Sequence, residues 1–289
     1  MTRAGVLGHP IEHSLSPVLH RAAYAALGLD WEYDRHDVTE DELGAFLAEC
    51  GPEWAGLSLT MPLKQTALGL CDHVEPLAEV VGAVNTVLLQ RSGRVRTVVG
   101  ANTDVHGIVA ALREAGYCTP EGRAARAVVL GAGATAASTL AALGELGITD
   151  PLVLVRSLAR TGSLRRAAHR MGVEPTFGRL EDAPRALVGA DVVVSTVPGA
   201  GADAVADGLV TRGENVGGVL LDVVYDPRPT ALQAAWRRLG GVDAPGERML
   251  LHQAAEQVRL MTGHVPPLVA MSDALEAELA RRGSTDAIT

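Results

Sequence analysis

Lysine is almost absent from this chain: of its 25 basic residues, 24 are arginine and one, Lys64, is lysine. A guanidinium stays charged under all physiological conditions, whereas an ammonium can be brought to give up its proton. A chain that uses arginine elsewhere and keeps one lysine therefore points to proton transfer at that position; the competing account is a chance surface survivor. Cysteine is also scarce. Cys50, Cys71 and Cys118 are odd in number and form no CxxC pair, which argues against a disulfide framework and reads as buried thiols in a reducing cytosol. No run approaches 18 apolar residues, so no membrane-spanning helix is expected. The opening Met1-Thr2-Arg3-Ala4-Gly5 turns polar again by His9 without a signal-peptide core. Positive charge is short as well: 25 basic against 34 acidic residues leaves −9, which supplies no field to hold nucleic acid or an anionic membrane.

What is present is 289 residues, 47% apolar and 20% charged. That composition excludes disorder and can build a sizeable core, and at about 150 residues per domain it suggests two domains. A soluble, cytoplasmic protein is expected.

The first half alternates strand and helix. Ala4 to Leu7 is a short apolar strand ending at Gly8. Pro17 to Leu27 reads as a helix, with Ser16 as N-cap, Pro17 in the first helical position and Gly28 after the end. A strand follows from Trp31 to Val38. Thr39-Glu40-Asp41-Glu42 reads as a capping box opening a helix whose Leu43, Phe46, Leu47 and Cys50 share one face. Gly56 to Met61 is another strand, stopped at Pro62, and Val84–Gln90 with Arg94–Val99 form a hairpin across Ser92-Gly93. This pattern predicts a largely parallel sheet with its chemistry at the strands' C-terminal edge. A new unit starts near Asn102: a helix from Asp104 to Ala115 capped by Gly116, then strands at Ala127–Leu130, Leu152–Val155, Asp191–Ser195 and Val219–Val224. Two helices follow Gly246, from about Met249 to Thr262 and from Leu268 to Arg282, and are expected to fold back onto the first unit; residues 284–289 read as a frayed tail.

Gly131-Ala132-Gly133-Ala134-Thr135-Ala136 follows an apolar strand and opens a helix, the setting of a dinucleotide fingerprint. Glycine permits the tight turn and the close approach of backbone to a pyrophosphate, whose charge meets the helix N-terminus. Such a turn can also be a mere connector. The strand after it ends in Arg156-Ser157-Leu158-Ala159-Arg160, with no carboxylate to accept ribose hydroxyls. Two guanidiniums and a hydroxyl suit the extra 2′-phosphate of NADP instead; a solvated basic helix start is the alternative.

Ser14 and Ser16 lie where a strand becomes a helix, a corner that offers backbone N–H groups to a carboxylate. His9, His13 and His20 suggest a metal, but Pro10 breaks the spacing two ligands need and no carboxylate or cysteine completes a set. Thr60, Lys64, Asn85-Thr86 and Asn102-Thr103-Asp104 each sit at an element boundary. Together they offer hydroxyls, amides, one ammonium and one carboxylate around a cleft.

Taken in order, the motifs resemble the shikimate dehydrogenase family over nearly the whole chain. They run Gly8-x-Pro10-Ile11-x-x-Ser14-x-Ser16-Pro17-x-x-His20, then Thr60-x-Pro62-x-Lys64, Gly82-Ala83-Val84-Asn85-Thr86 and Gly100-x-Asn102-Thr103-Asp104-x-x-Gly107. The Gly131 turn follows, then Asp222-x-x-Tyr225-x-Pro227-x-x-Thr230, and last Gly246-x-x-Met249-Leu250-x-x-Gln253-Ala254. The resemblance implies two α/β domains: a substrate domain over 1–102 with 247–289, completed by the returning C-terminal helices, and a Rossmann-like NADP-binding domain over 103–246. It implies reversible NADP-dependent interconversion of 3-dehydroshikimate and shikimate, on the way to chorismate and the aromatic amino acids. Ser14 and Ser16 would hold the substrate carboxylate. Thr60, Asn85, Tyr225 and Gln253 would bind ring hydroxyls or carboxylate, and Lys64 with Asp104 would flank the reacting oxygen. Gly131, Ala132, Gly133, Ala134, Thr135, Arg156, Ser157 and Arg160 would bind NADP, with Val223 and Gly246 lining the nicotinamide pocket and no metal involved. Reduction of a ketone needs a hydride on carbon, from the nicotinamide, and a proton on oxygen, which Lys64 would give while Asp104 orients it.

The chain departs from the common family pattern at Ser58, Arg21, Val155 and Ser195, each at a usual asparagine, at Ser157 for threonine, and at Ala134 for a third glycine. The loss at Val155 removes hydrogen bonds near the ribose. Two neighbouring readings share the scaffold: a quinate/shikimate or aminoshikimate dehydrogenase, and a non-catalytic ligand-sensing module, which has no need of the Lys–Asp pair. Monomer and homodimer both remain open.

Overall fold

A computed structural model describes residues 1–93 and 95–286, with the side chains of residues 284–286 left aside. Arg94, the expected start of a strand, and residues 287–289 of the expected tail lie outside the described residues. The chain divides into two compact units, one of Met1–Thr103 with Gln253–Thr289 and the other of Asp104–His252.

The first unit begins with β1 (Thr2–Gly8), α1 (Ser16–Ala26), β2 (Trp31–Asp37), α2 (Leu43–Glu49) and β3 (Trp54–Leu59). It continues through β4 (His73–Val74), α3 (Pro76–Val81), β5 (Thr86–Ser92) and β6 (Val95–Ala101). Its sheet has the order β2-β1-β3-β5-β6-β4. Strands β1, β2 and β3 run parallel, but β5 is antiparallel to both β3 and β6. The expected largely parallel sheet is thus mixed, because the two-strand hairpin at Ser92-Gly93 reverses direction inside it. Leu7, Leu43, Leu57, Leu63, Val84 and Val87 form the buried core between this sheet and α2.

The second unit runs α4 (Asp104–Glu114), β7 (Ala127–Leu130), α5 (Ala134–Glu145), β8 (Leu152–Val155), α6 (Gly162–Met171), β9 (Thr176–Arg179) and α7 (Ala183–Ala186). Then come β10 (Val192–Ser195), α8 (Asp203–Arg212), β11 (Val219–Asp222), α9 (Ala231–Arg238) and β12 (Val242–Pro245). All six strands are parallel in the order β12-β11-β10-β7-β8-β9, the doubly wound dinucleotide-binding topology. Strands β7 and β8 are apolar throughout and β10 and β11 up to their last residue, as central strands covered by helices on both faces require, and Trp236 is fully buried beneath β10 and β11. The chain closes with α10 (Gly246–Thr262), inside which the two units divide, and α11 (Leu268–Asp286), which packs on α1. The C-terminal helices therefore do return to the first unit.

Several local expectations are corrected. Helix α1 starts one residue early, with Leu15 in the cap position and Ser16 already inside the first turn. Glu42 reaches back to the Thr39 backbone N–H at 2.9 Å as a capping box requires, but the Thr39 hydroxyl donates to the same carboxylate instead of accepting from the helix; α2 begins only at Leu43. Helix α11 continues to Asp286, through the start of the expected tail. Of the thiols only Cys50 is buried; Cys71 is half-buried and Cys118 exposed.

Candidate active site

In the first unit the chemistry gathers at one edge of the sheet. Gly8 and Leu59 end parallel neighbours β1 and β3, and the antiparallel pairing of β5 brings Thr86 opposite Ser58 and Ala101. The loop after β1, the loop after β3, Asn85 and Thr103 consequently all leave the sheet at the same edge. Gly8 is required there because a Cβ would stand 2.4 Å from the Thr60 methyl group.

Each expected substrate residue of this unit is fixed from its backbone. Thr60 donates its N–H to Leu7 at 2.9 Å, and Val84 donates to the Lys64 carbonyl at 2.8 Å, so half-buried Lys64 stands on an anchored turn. Ser14 is held from outside: Arg35 aims two guanidinium N–H groups at its carbonyl, at 2.9 and 2.6 Å. Arg282 of α11 donates to the adjacent His13 carbonyl at 3.1 Å. The Ser14 hydroxyl accepts the Ser16 N–H at 3.3 Å, and buried Ser16 shares a hydrogen bond with Tyr33.

Asn85, Thr103 and Gln253 are brought into direct contact. The Asn85 amide nitrogen donates to the Thr103 hydroxyl at 2.9 Å and to Gln253 Oε1 at 3.3 Å, while Asn85 Oδ1 accepts the Thr103 N–H at 2.8 Å. Behind them lies a buried layer that sequence reasoning missed. Gln257 donates to the Asn85 carbonyl at 3.1 Å and to the Thr86 hydroxyl at 2.9 Å, and accepts from Ser58 at 2.7 Å and His20 at 3.3 Å. His20 is wholly buried, and desolvation pulls its pKa down to about 3. It is therefore a neutral member of a structural network, and the three expected non-ligand histidines are separate: His9 instead pairs with Asp37 at 2.6 Å, and His13 is exposed. The signal for Gln257 was its place one helical turn after Gln253, on the same face of α10.

In the second unit the C-terminal ends of β7, β8, β10, β11 and β12 share one edge, where Gly131, Arg156, Thr196, Val223 and Gly246 stand. The order of the sheet reverses between β7 and β10, and ligands of such sheets bind at that switch. Gly131 follows β7 with φ +107°, and a Cβ on it would come within 2.5 Å of the Thr196 hydroxyl after β10. Helix α5 begins at Ala134 with Gly133 as its cap, which offers no side chain to the first N–H groups. Ala132, Ala134 and Thr135 line this corner without being buried. A bare helix start behind a glycine turn suits a pyrophosphate.

Beside it, Arg156 and Arg160 are exposed and Ser157 half-buried. Among the described residues neither guanidinium is held by a carboxylate, whereas Arg123, Arg237 and Arg248 of the same unit pair with Asp191, Asp243 and Glu114. Arg165, from the same basic stretch, is stacked 4.0 Å over Phe177 and lies outside this pair's role. The set fits a dinucleotide with an additional phosphate. At the other side of the edge, Gly246 lies so close to Asp222 and Val223 that a Cβ would meet the Asp222 carbonyl at 2.5 Å. Asp222 is buried, which pushes its carboxyl up, and it accepts the Thr230 hydroxyl at 2.8 Å. That bond braces the segment leading to half-buried Tyr225. Asp104, buried, is the first residue of α4. Asp104 and Tyr225 belong to the second unit.

Comparison with known proteins extends this picture along the chain. Residues 6–87 match the shikimate dehydrogenase substrate binding domain, and residues 246–276 match the shikimate 5'-dehydrogenase C-terminal domain. The shikimate dehydrogenase (NADP(+)) of Rubrobacter xylanophilus is 38% identical, over 95% of both chains. The crystal structure of Mycobacterium tuberculosis shikimate dehydrogenase is 41% identical and superposes with a TM-score of 0.83, covering 96% of this chain and all of that one. The Thermus thermophilus enzyme, solved in complex with NADP(H) and shikimate, is 31% identical with a TM-score of 0.78 over 96% of this chain and 99% of its own. With the doubly wound sheet, the glycine turn and the amide cluster on the page, likeness of this extent has one meaning: the chain belongs to the shikimate dehydrogenase family.

Proposed function

We propose that this protein interconverts 3-dehydroshikimate and shikimate, with NADP as the hydride carrier. The observation that carries the reading is the edge of the first unit, where Asn85, Thr103 and Gln253 meet and the turn that carries Thr60 and Lys64 leaves the same sheet; the edge offers hydroxyls, amides and one ammonium, the groups a ring polyol calls for. The Gly131 turn would hold NADP, whose nicotinamide would supply the hydride chemistry when bound. Arg156, Ser157 and Arg160 would hold its 2′-phosphate, and Val223 and Gly246 would line the nicotinamide end.

The rest is done by side chains. Ser14 and Ser16 hold the substrate carboxylate; their loop is steadied by the Arg35 and Arg282 bonds. Thr60, Asn85, Gln253 and Tyr225 take the ring oxygens. Lys64 gives a proton to the carbonyl oxygen as it becomes a hydroxyl, and takes that proton back in the oxidative direction. Asp104 accepts a hydrogen bond from a substrate hydroxyl and orients the ammonium.

The test is a matrix of initial rates with shikimate and quinate against NADP+ and NAD+. Shikimate with NADP+ should be the fastest pair. Faster turnover of quinate would move the protein to the quinate-oxidising branch, and no turnover with any pair would leave a ligand-sensing module.

A further inference from the structure

The hydrogen bonds that run from Gln257 to the Asn85 side chain follow a fixed proton order. A backbone N–H can only donate and a carbonyl can only accept. The Thr103 N–H, 2.8 Å from the Asn85 side chain, therefore identifies the atom it meets as oxygen. The Asn85 carbonyl, 3.1 Å from the Gln257 side chain, identifies that atom as nitrogen. Gln257 Oε1 must then accept from both groups facing it, so Ser58 donates its hydroxyl and His20 carries its proton on Nε2. His20 Nδ1 accepts from Tyr24 at 3.2 Å, and the Ser58 oxygen accepts from Tyr33 at 2.6 Å. On the other side, Gln257 Nε2 donates to the Thr86 oxygen, which leaves the Thr86 proton to go to Asn85 Oδ1, 2.9 Å away. Oδ1 is thus claimed by Thr86 and by the Thr103 N–H, and the amide nitrogen is turned toward Thr103 Oγ1 and Gln253 Oε1.

We propose that Gln257, acting through the Thr86 hydroxyl, is a positioning residue that locks the Asn85 amide with its N–H groups on the substrate side. The proposal rests on the reading that Asn85 binds the substrate, and it deepens that reading: the position recognises a hydrogen-bond acceptor, such as a hydroxyl or carboxylate oxygen of the ring acid. Neither Gln257 nor Thr86 touches the substrate in this scheme. If Thr86 cannot donate, Oδ1 keeps only the Thr103 N–H, Gln257 Nε2 keeps only the Asn85 carbonyl, and the amide keeps its orientation but is held less tightly. A looser amide spends part of its time away from the geometry that meets the substrate, which weakens binding without altering the chemical step.

The experiment uses Thr86→Val, close in shape but without the hydroxyl, Thr86→Ser, which restores it, and Gln257→Met. Thr86→Val and Gln257→Met should raise KM for shikimate by about 3- to 10-fold, the span expected for one net hydrogen bond. The kcat and the KM for NADP+ should stay near wild type, and Thr86→Ser should recover the shikimate KM. A merely structural role would instead lower the melting temperature and the active fraction, reducing kcat with KM intact, and that result overturns the proposal. If the variants fold too poorly for kinetics, hydrogen exchange of the Asn85 side-chain amide in 15N NMR of the wild type decides: N–H signals protected from exchange support the lock, and exchange as fast as that of an exposed amide sinks it. Because that readout needs no turnover, it separates this inference from the reaction itself, which fails only if the wild type oxidises no shikimate.

Discussion

The imidazole of His20 lies flat against the ring of Tyr33, centroids 3.9 Å apart and planes within 13°. Its two nitrogens meet Tyr24 and Gln257, neither of them an acid that could offset a charge. Desolvation therefore dominates and lowers its pKa from 6.5 to about 3. Above about pH 6.5 the ring is neutral whether folded or unfolded, and the full stability is present. As pH falls toward 3 the unfolded chain binds a proton that the folded chain refuses. Stability is then lost at about 1.4 kcal/mol per pH unit from this group alone. Urea unfolding from pH 7 to pH 4 should show His20→Gln with a visibly shallower acid slope than wild type. Parallel slopes in the two proteins would mean that His20 is protonated in the fold.

Gly131 makes a different kind of demand. Its φ of +107° disfavours any other residue, and the Thr196 hydroxyl, which donates to the Leu130 carbonyl at 2.8 Å, fills the space a Cβ would take. Gly131→Ala should cost about 1–3 kcal/mol of stability and weaken NADP(H) binding, with shikimate binding by the first unit little changed. Adding Thr196→Ala should recover part of the loss, because it removes the collision and leaves the strained φ. Simple additivity of the two substitutions, measured by thermal unfolding, would show that the pair does not collide.

That glycine was legible in the sequence because its backbone requirement admits hardly any other residue. The same holds for the parallel strands of the second unit, where runs such as Val128-Val129-Leu130 have no polar face to confuse the reading. Where the signal is weak the structure had to decide. Thr176-Phe177-Gly178-Arg179 has neither alternation nor an apolar run, yet it forms β9 because β8 offers it a parallel edge. Ser16 looked like a cap by composition, but the loop after β1 lets Leu15 take that place and draws Ser16 into the fold beside Tyr33. Residues proposed to act by their own chemistry, such as Lys64 and Arg156, could be picked out singly. Gln257 and Arg35 act on other residues across the fold, through partners 171 and 21 positions away in sequence, and no local pattern encodes such pairings.

The exposed guanidiniums of Arg156 and Arg160 give the cofactor preference a simple test. Charge-assisted bonds to a phosphate are lost when Arg156→Gln and Arg160→Gln are combined, whereas a cofactor without that phosphate has little to lose. KM for NADP+ should rise by at least about tenfold, equivalent to about 1.4 kcal/mol, with kinetics on NAD+ nearly unchanged. Raising the salt concentration should erode the wild-type preference in the same direction, since exposed charges are screened. Equal losses on both cofactors would assign the two arginines to the fold of this corner and not to the phosphate.

Lys64 is the sharpest case, because its turn is held by the backbone. The Val84 N–H bond to the Lys64 carbonyl and the Leu63 N–H bond to Thr60 survive removal of the side chain. Lys64→Ala should therefore leave stability close to wild type and shikimate binding measurable. Without a group to give and take the proton, turnover should fall by roughly 10²–10⁴-fold, the usual share of general acid–base catalysis, with KM little affected. The substitution is also cleaner than Lys64→Arg, which would keep the charge and still be unable to yield a proton. If Lys64→Arg restored turnover to near the wild-type rate, the side chain would be serving as a fixed positive charge, and the proton would have to come from water or another residue. If Lys64→Ala raised KM alone and left kcat intact, Lys64 would be a binding residue. Loss of kcat in both variants, with folded protein and bound shikimate, is the outcome that proton transfer requires.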